Sequence, residues 1–257
     1  MRPLLLTGLL LSVLPAVPAA AAVSRVEGQA LSAADGRLLY RETHWLQDVG
    51  DRQARLVLYR CADGKPFARK WMPAAEVATA PDFEFMDGRD GRQESVRAQA
   101  GRRLVSVRAG TGTSVQEKSL EMPAAGVIDA GFDAAVRANW ATLQNGEPVS
   151  LPFLLTSRQR WVPVKLQRVA AIDWQGQPAE KLQMQLDAWF GFAVPAVTLV
   201  YSRADRRLLE FSGTGNVRDA AGAWPQVRVR FPEPPQQVAS NDLATARTQP
   251  LVSTCTR

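Results

Sequence analysis

Between Asp129 and Gly146 lies the one stretch of this 257-residue chain whose apolar residues follow a helical period, and it interrupts a sequence that elsewhere alternates like strands. Phe132, Val136, Trp140 and Leu143 recur at helical spacing and share one face of a 3.6-residue turn, with Arg137, Asn139 and Gln144 on the other side. Asp129 or Asp133 can cap the free N–H groups at its start and complement the dipole there. Asn145-Gly146 offers the left-handed residue that commonly ends a helix. An apolar stripe of this kind needs a surface to lie on. The helix is therefore expected to be the hinge of the architecture, with one β-rich block before it and a second after it.

Before the helix, Asp35-Gly36, Asp63-Gly64, Asp87-Gly88 and Asp90-Gly91 are dipeptides favoured by two-residue hairpin loops, whose central positions need positive φ. They separate β-prone runs at Leu38 to Trp45, Arg55 to Cys61, Phe67 to Met72, Phe83 to Met86 and Arg103 to Arg108. Arg55 to Arg60 is apolar on both alternations, as in a central strand covered on both faces. After the helix, Val149, Leu151, Phe153 and Leu155, then Val162, Val164 and Leu166, then Leu182, Met184 and Leu186 form the dry faces of half-buried strands. The aromatic stretch Trp189 to Pro195 reads as a turn or short helical corner reaching into the core. Three further strands follow through Tyr201, Phe211 and Val229. About ten or eleven strands at this spacing predict a mainly β fold: a large curved antiparallel meander, an open or half barrel, with one internal amphipathic helix. A two-sheet sandwich is the alternative. The curved sheet is preferred because the helical stripe, falling mid-chain, is wide enough to plug a concave face.

The N-terminus carries Arg2, an apolar run from Leu4 to Leu14, and alanines ending at Ala22, the succession of a secretory signal peptide cleaved near Val23. The expected organisation is a signal peptide over 1–22, a single β-rich domain over 23–232, and a polar, flexible tail over 233–257 that begins at the proline cluster after Phe231. The mature chain is expected to be periplasmic, with no transmembrane span. The formal charge of the full chain, +6, rests mostly on arginine, since lysine fills only five of the 31 basic positions. Such a charge attracts anionic lipid, lipopolysaccharide or nucleic acid. The arginines are scattered along the sequence, so a solvated surface and no nucleic-acid partner are expected.

The run Leu199 to Gly213, with Asn216, Asp219, Gly222 and Val227 to Pro232, resembles uncharacterised exported proteins of proteobacteria. Leu56 to Arg69 does so too. That resemblance brings no function with it. More loosely, a helix set into a meandering sheet looks like the half-barrel of periplasmic lipoprotein carriers, a similarity of architecture that no motif supports.

Inventory removes most chemistries. His44 is the only histidine, so a histidine-based zinc site or a Ser-His-Asp site would have to be built on it alone, and no Gly-x-Ser-x-Gly elbow is present. The acids between Asp82 and Asp90 are interleaved with arginine and lack EF-hand spacing, so hairpin turns explain them better than calcium. No catalytic residues, no metal and no cofactor are expected. Cys61 and Cys255 are one pair in an oxidising compartment, and either a bridge or two free thiols fits the sequence. Phe132, Val136, Trp140, Phe153, Trp161, Trp189 and Phe190 form the candidate lining of an apolar cavity. The functional expectation is a non-enzymatic module that binds or carries a lipid-like ligand. Its alternatives are an envelope interaction or assembly protein with a filled core and, third, a carboxylate-based hydrolase.

Overall fold

The computed structural model describes residues 22–187 and 195–256. The first eight strands are β1 (Val23–Ser32), β2 (Leu38–Val49), β3 (Arg52–Arg60), β4 (Pro66–Met72), β5 (Phe83–Asp87), β6 (Gln93–Gln99), β7 (Arg102–Arg108) and β8 (Val115–Glu121). Two short helices follow, α1 (Gly131–Ala138) and α2 (Trp140–Gln144). The chain continues through β9 (Val149–Leu155), β10 (Arg160–Trp174), β11 (Gln177–Leu186), β12 (Val197–Ser202), β13 (Leu208–Thr214), β14 (Gln226–Arg230), β15 (Gln236–Val238) and α3 (Ser240–Thr248).

All fifteen strands belong to one antiparallel sheet, organised outward from its middle. Starting at β1, the chain meanders outward to β8 at one edge, crosses by α1 and α2 to the other edge at β9, and meanders back until β14 and β15 pair with the free side of β1. The two edges are not paired, so the barrel stays open. They approach at one corner. There the Gln159 side-chain amide donates to the carbonyls of Val105 and Gln116 at 3.0 and 2.9 Å, and the Trp161 indole N–H donates to the Glu121 carbonyl at 2.9 Å.

Strand alternation divides the side chains between two faces. On the concave face of β3, Val57 and Tyr59 join a core with Phe67, Phe83, Phe85, Val96 and Val105, while Leu56 and Leu58 point to the convex face. The other half of the concave face, from β9 to β12, carries Leu151, Val164, Leu166, Leu182 and Leu199, and on it lie Phe132, Ala135, Val136 and Leu143 from the helices. The stripe thus packs as its period requires, but as two helices: Asn139 leaves helical geometry at φ −100° and ψ 15°, its amide donating back to the Ala135 carbonyl at 2.8 Å. The capping expectation also changes. Neither aspartate caps α1, because Asp129 sits before it with φ +48° and pairs with Lys70, while Asp133 is drawn off the axis by side chains of the sheet. Gly146 does close the helical segment, with φ +82°.

Of the Asp-Gly pairs, Gly36, Gly64 and Gly91 take the positive φ that the hairpins need. Asp87-Gly88 is different. Asp87 is a fully buried end of β5 held by Arg89, and a Cβ on Gly88 would lie 2.9 Å from the Leu251 side chain and 3.0 Å from the Val252 carbonyl. That glycine lets the C-terminal segment pass over it. Residues 233–256 accordingly depart from the loose tail that their composition suggests. β15 extends the sheet, and α3 packs Leu243 and Ala246 on Trp45, Leu56 and Leu58. Asp242 accepts the Trp45 indole N–H at 2.8 Å, Val252 donates its N–H to the Pro66 carbonyl at 2.9 Å, and Cys255 is disulfide-bonded to Cys61 with a Cα–Cα separation of 5.4 Å.

Gly131 fixes the entry of α1. A Cβ there would fall 2.1 Å from the Thr79 carbonyl oxygen and 2.7 Å from the Pro81 ring, in the loop that also takes the Ile128 N–H on Thr79 at 2.9 Å. Gly131→Ala must push the helix off this loop. The expected cost is about 1–3 kcal/mol, the range of overpacked interiors. Denaturant melts of wild type and variant check it, and an unchanged midpoint would show that the loop moves freely.

Candidate functional site

The helix α1 and the curved sheet do not fill the space between them. Two adjoining cavities of about 200 and 120 Å³ lie on the concave face, sharing His44, Arg55, Asp133, Leu208 and Phe231 as common walls. The larger is mostly apolar: Phe132 from α1, Phe153 from β9, Met184 from β11, Leu199 from β12, Phe211 from β13 and Val229 from β14. Each strand contributes its inward alternation, which is why residues far apart in sequence converge. Phe132 and Phe153 meet edge to face, with ring centroids 6.3 Å apart.

At the junction of the cavities the walls turn polar. Asp133 reaches from α1 to both halves of the sheet, accepting from Arg55 Nη2 on β3 at 3.2 Å and from the Tyr201 hydroxyl on β12 at 2.8 Å. Burial raises the Tyr201 phenol well above its ordinary pKa, and the Asp133 charge raises it further, so it is held as a neutral donor. His44 Nε2 lies 2.9 Å from Glu42 Oε2, and the imidazole stands edge-on to Phe231 with centroids 5.3 Å apart. Asp129 takes the Lys70 ammonium, itself only 5% exposed and 5.3 Å from the Phe83 ring centroid. Every carboxylate in the cleft is thus engaged by a basic side chain.

The sequence-derived candidates separate into distinct places. Phe132 and Phe153 line the cleft, and Val136 is fully buried beneath the helix. Trp140 does not line it. Its ring stands on Tyr201, with centroids 6.4 Å apart, and the Arg206 guanidinium is 5.7 Å from its centroid. Trp161 packs at the corner where the two sheet edges approach. Trp189 and Phe190 lie outside the described residues, as does the leader at 1–21. What the sequence reading missed is the polar junction and the β13–β14 wall. Val229 and Phe231 carry the alternation of a half-buried strand, the signal that would have found them, whereas Leu208 and Phe211, three residues apart, share a face only through the register shift opposite Val200 and Tyr201; alternation in any case does not tell a wall from a filled core.

A half-buried Trp140 gives a direct expectation. Trp140→Ala should cost less than the roughly 3–5 kcal/mol of a fully buried aromatic, and it should leave the affinity of the cleft for apolar probes unchanged. Paired melts and probe titrations check both parts, and a large loss of probe binding would place the indole in the site.

Fold and cleft together define an open antiparallel half-barrel with a helix lying across its concave face. The chain matches no described protein family and no curated protein. Among solved structures it is similar to a beta-barrel-like protein of a domain of unknown function from Brucella abortus, at 7% identity over 85% of this chain and 98% of that one, with a TM-score of 0.42. It is also similar to a putative outer membrane lipoprotein-sorting protein domain from Vibrio parahaemolyticus, at 10% identity over 89% and 91% of the two chains, with a TM-score of 0.30. Likenesses at these scores carry no argument about function. Among the described residues, no helix is long and apolar enough to cross a membrane, and no group of three or more metal-ligating side chains gathers.

Proposed function

We propose that this protein is a non-enzymatic, exported binding or carrier module that holds one chain of a hydrophobic ligand in the cleft under α1. The observation that carries the reading is the pair of adjoining cavities, about 200 and 120 Å³, apolar along the sheet and polar where they join. Ligand pockets begin at about 300 Å³, so the space suits a single acyl chain or a molecule of that bulk. Arg55, His44 and the Tyr201–Asp133 pair stand where a polar end of such a ligand would lie. The leader pattern at 1–22 supports a periplasmic location. Asp129 and Asp133 are paired with Lys70 and Arg55, which favours their charged, ion-paired state over a general-acid role.

The test is titration of delipidated protein with cis-parinaric acid, a fluorescent single-chain fatty acid, beside Leu208→Trp, which fills the common wall. Saturable binding by wild type and at least a tenfold loss in Leu208→Trp, with melting unchanged, is the expected result. A second reading, an envelope interaction protein, is favoured by β8, whose residues are exposed along the whole edge except for a half-buried Leu120. Wild type that binds no probe and retains no ligand mass in native mass spectrometry would leave that reading standing and remove the first.

A further inference from the structure

Arginines that are scattered in the sequence gather on the convex face of the sheet, on the side away from the cleft. Across β4 to β8 the register places Arg69, Met86, Gln93, Arg108 and Val115 in one rung, and Trp71, Glu84, Ser95, Ser106 and Glu117 in the next. α3 covers the neighbouring part of this face and ends against it. Its last-turn Arg247 lies over the Trp71 ring, 4.3 Å from the centroid, and the result is an open groove of about 310 Å³.

The charges in this groove do not cancel. Arg97 is paired with Glu84 at 2.6 Å, but among the described residues Arg69, Arg108 and Arg247 have no carboxylate partner. Arg69 donates to the Gln249 carbonyl, and among the described residues the buried Nε atoms of Arg69 and Arg108 find no hydrogen-bond acceptor. Burial, and then the charge of Arg247, lower the Arg69 pKa, so two guanidiniums repel each other in a groove whose lining carboxylates, Glu84 and Glu94, are held by Arg97 and Arg92. In the same rung Met86 and Val115 are exposed at 46% and 45%, apolar side chains set between and beside guanidiniums. Cations interleaved with exposed apolar groups match the interface of an acidic bilayer, where phosphate lies above acyl chain.

We infer that the convex face around Arg69, Arg108 and Arg247 is a docking surface for a membrane rich in anionic phospholipid. The phosphate of the headgroup supplies the missing anion, while Met86 and Val115 meet the acyl boundary. This surface and the cleft lie on opposite faces, so either can fail without the other.

The experiment is co-sedimentation of the mature protein with vesicles of mixed phosphatidylglycerol and phosphatidylcholine, and with vesicles of phosphatidylcholine alone. The protein is expected to sediment with the first only, and less so as salt rises. Arg108→Gln and Arg247→Gln should each weaken binding about fivefold, the strength of one basic residue at an anionic surface. Arg160→Gln, which removes the same charge from exposed β10, should leave it within about twofold. Three results overturn the inference: no sedimentation with anionic vesicles, an equal loss in Arg160→Gln, or complete displacement by inorganic phosphate at fixed ionic strength, which would make this a site for free phosphate. Matching melts of the variants guard against misfolding, and Arg108→Lys, which keeps the charge, should retain most of the binding.

Discussion

Replacing both Cys61 and Cys255 by serine should lower the unfolding free energy by up to about 5 kcal/mol, the chain-entropy value for a loop of this length. The bridge spans 194 residues and closes every described strand from β4 to β15 into one loop, so its absence frees much of the unfolded ensemble. In the native state the tail keeps other anchors: Leu243 and Ala246 against Leu56 and Leu58, the Trp45 indole on Asp242, and Val252 on the Pro66 carbonyl. These contacts cover apolar surface that β1, β2 and β3 would otherwise present to water, because Val23, Trp45, Leu56 and Leu58 alternate outward. The folded double variant should therefore look native in near-ultraviolet circular dichroism while melting earlier. Guanidinium unfolding under non-reducing conditions measures the difference. A loss below about 1 kcal/mol would show that the unfolded chain is already compact enough for the bridge to restrict little.

That the C-terminal residues would dock at all was not legible in their composition. Pro232, Pro234, Pro235 and the polar run after them read as loose because their apolar content is low. What docks them is external to the segment: an outward apolar patch on β1–β3, whose need for cover was already visible in the double alternation of Arg55 to Arg60. The curved antiparallel meander with a helix in its concavity was readable for a related reason. Period-two alternation and a helical stripe each demand a partner surface, and a sheet curved around the helix serves both. Four strands lie outside the runs named from the sequence, β1, β6, β8 and β15; of these, β6 as Gln93–Gln99 and β8 as Val115–Glu121 are polar near one edge, where backbone pairing and not burial holds them. The break at Asn139 was hidden because the spacing of Phe132, Val136, Trp140 and Leu143 is the same for one helix or two.

The cleft was legible only as apolar residues in excess. Which of them line space and which fill it depends on sheet curvature, a long-range property. Trp140 and Phe132 share a stripe, yet only the second faces the cavity, because the helix bends away at Asn139. Asp133 illustrates the other failure. At its position in the first turn of a helix, an aspartate reads as a partner of free N–H groups and of the dipole. The curved sheet brings Arg55 and Tyr201, five strands apart in the pairing order, to the same carboxylate, and a buried guanidinium outcompetes the dipole.

Asp133→Ala should accordingly destabilise the protein by about 3 kcal/mol, the lower end of the cost of leaving one member of a buried ion pair alone, because this pair is half-buried. The Arg55 and Asp133 side chains are 19% and 16% exposed and line the cleft, so water replaces only part of the lost partner. The Tyr201 hydroxyl, fully buried, loses its acceptor as well. Tyr201→Phe removes only one charge-assisted hydrogen bond and should cost about 1.5–3 kcal/mol. The double substitution Arg55→Met with Asp133→Leu removes both charges together and should recover the ion-pair part of the loss, leaving only the cost of the Tyr201 hydroxyl without its acceptor. If Asp133→Ala costs more than either of the other two variants, the carboxylate is the tie between helix and sheet, and the melts become a measure of how firmly α1 is held over the cleft. Equal losses in Asp133→Ala and the double variant would show instead that packing of α1, through Val136 and Ala135, holds the helix down and that Asp133 is incidental.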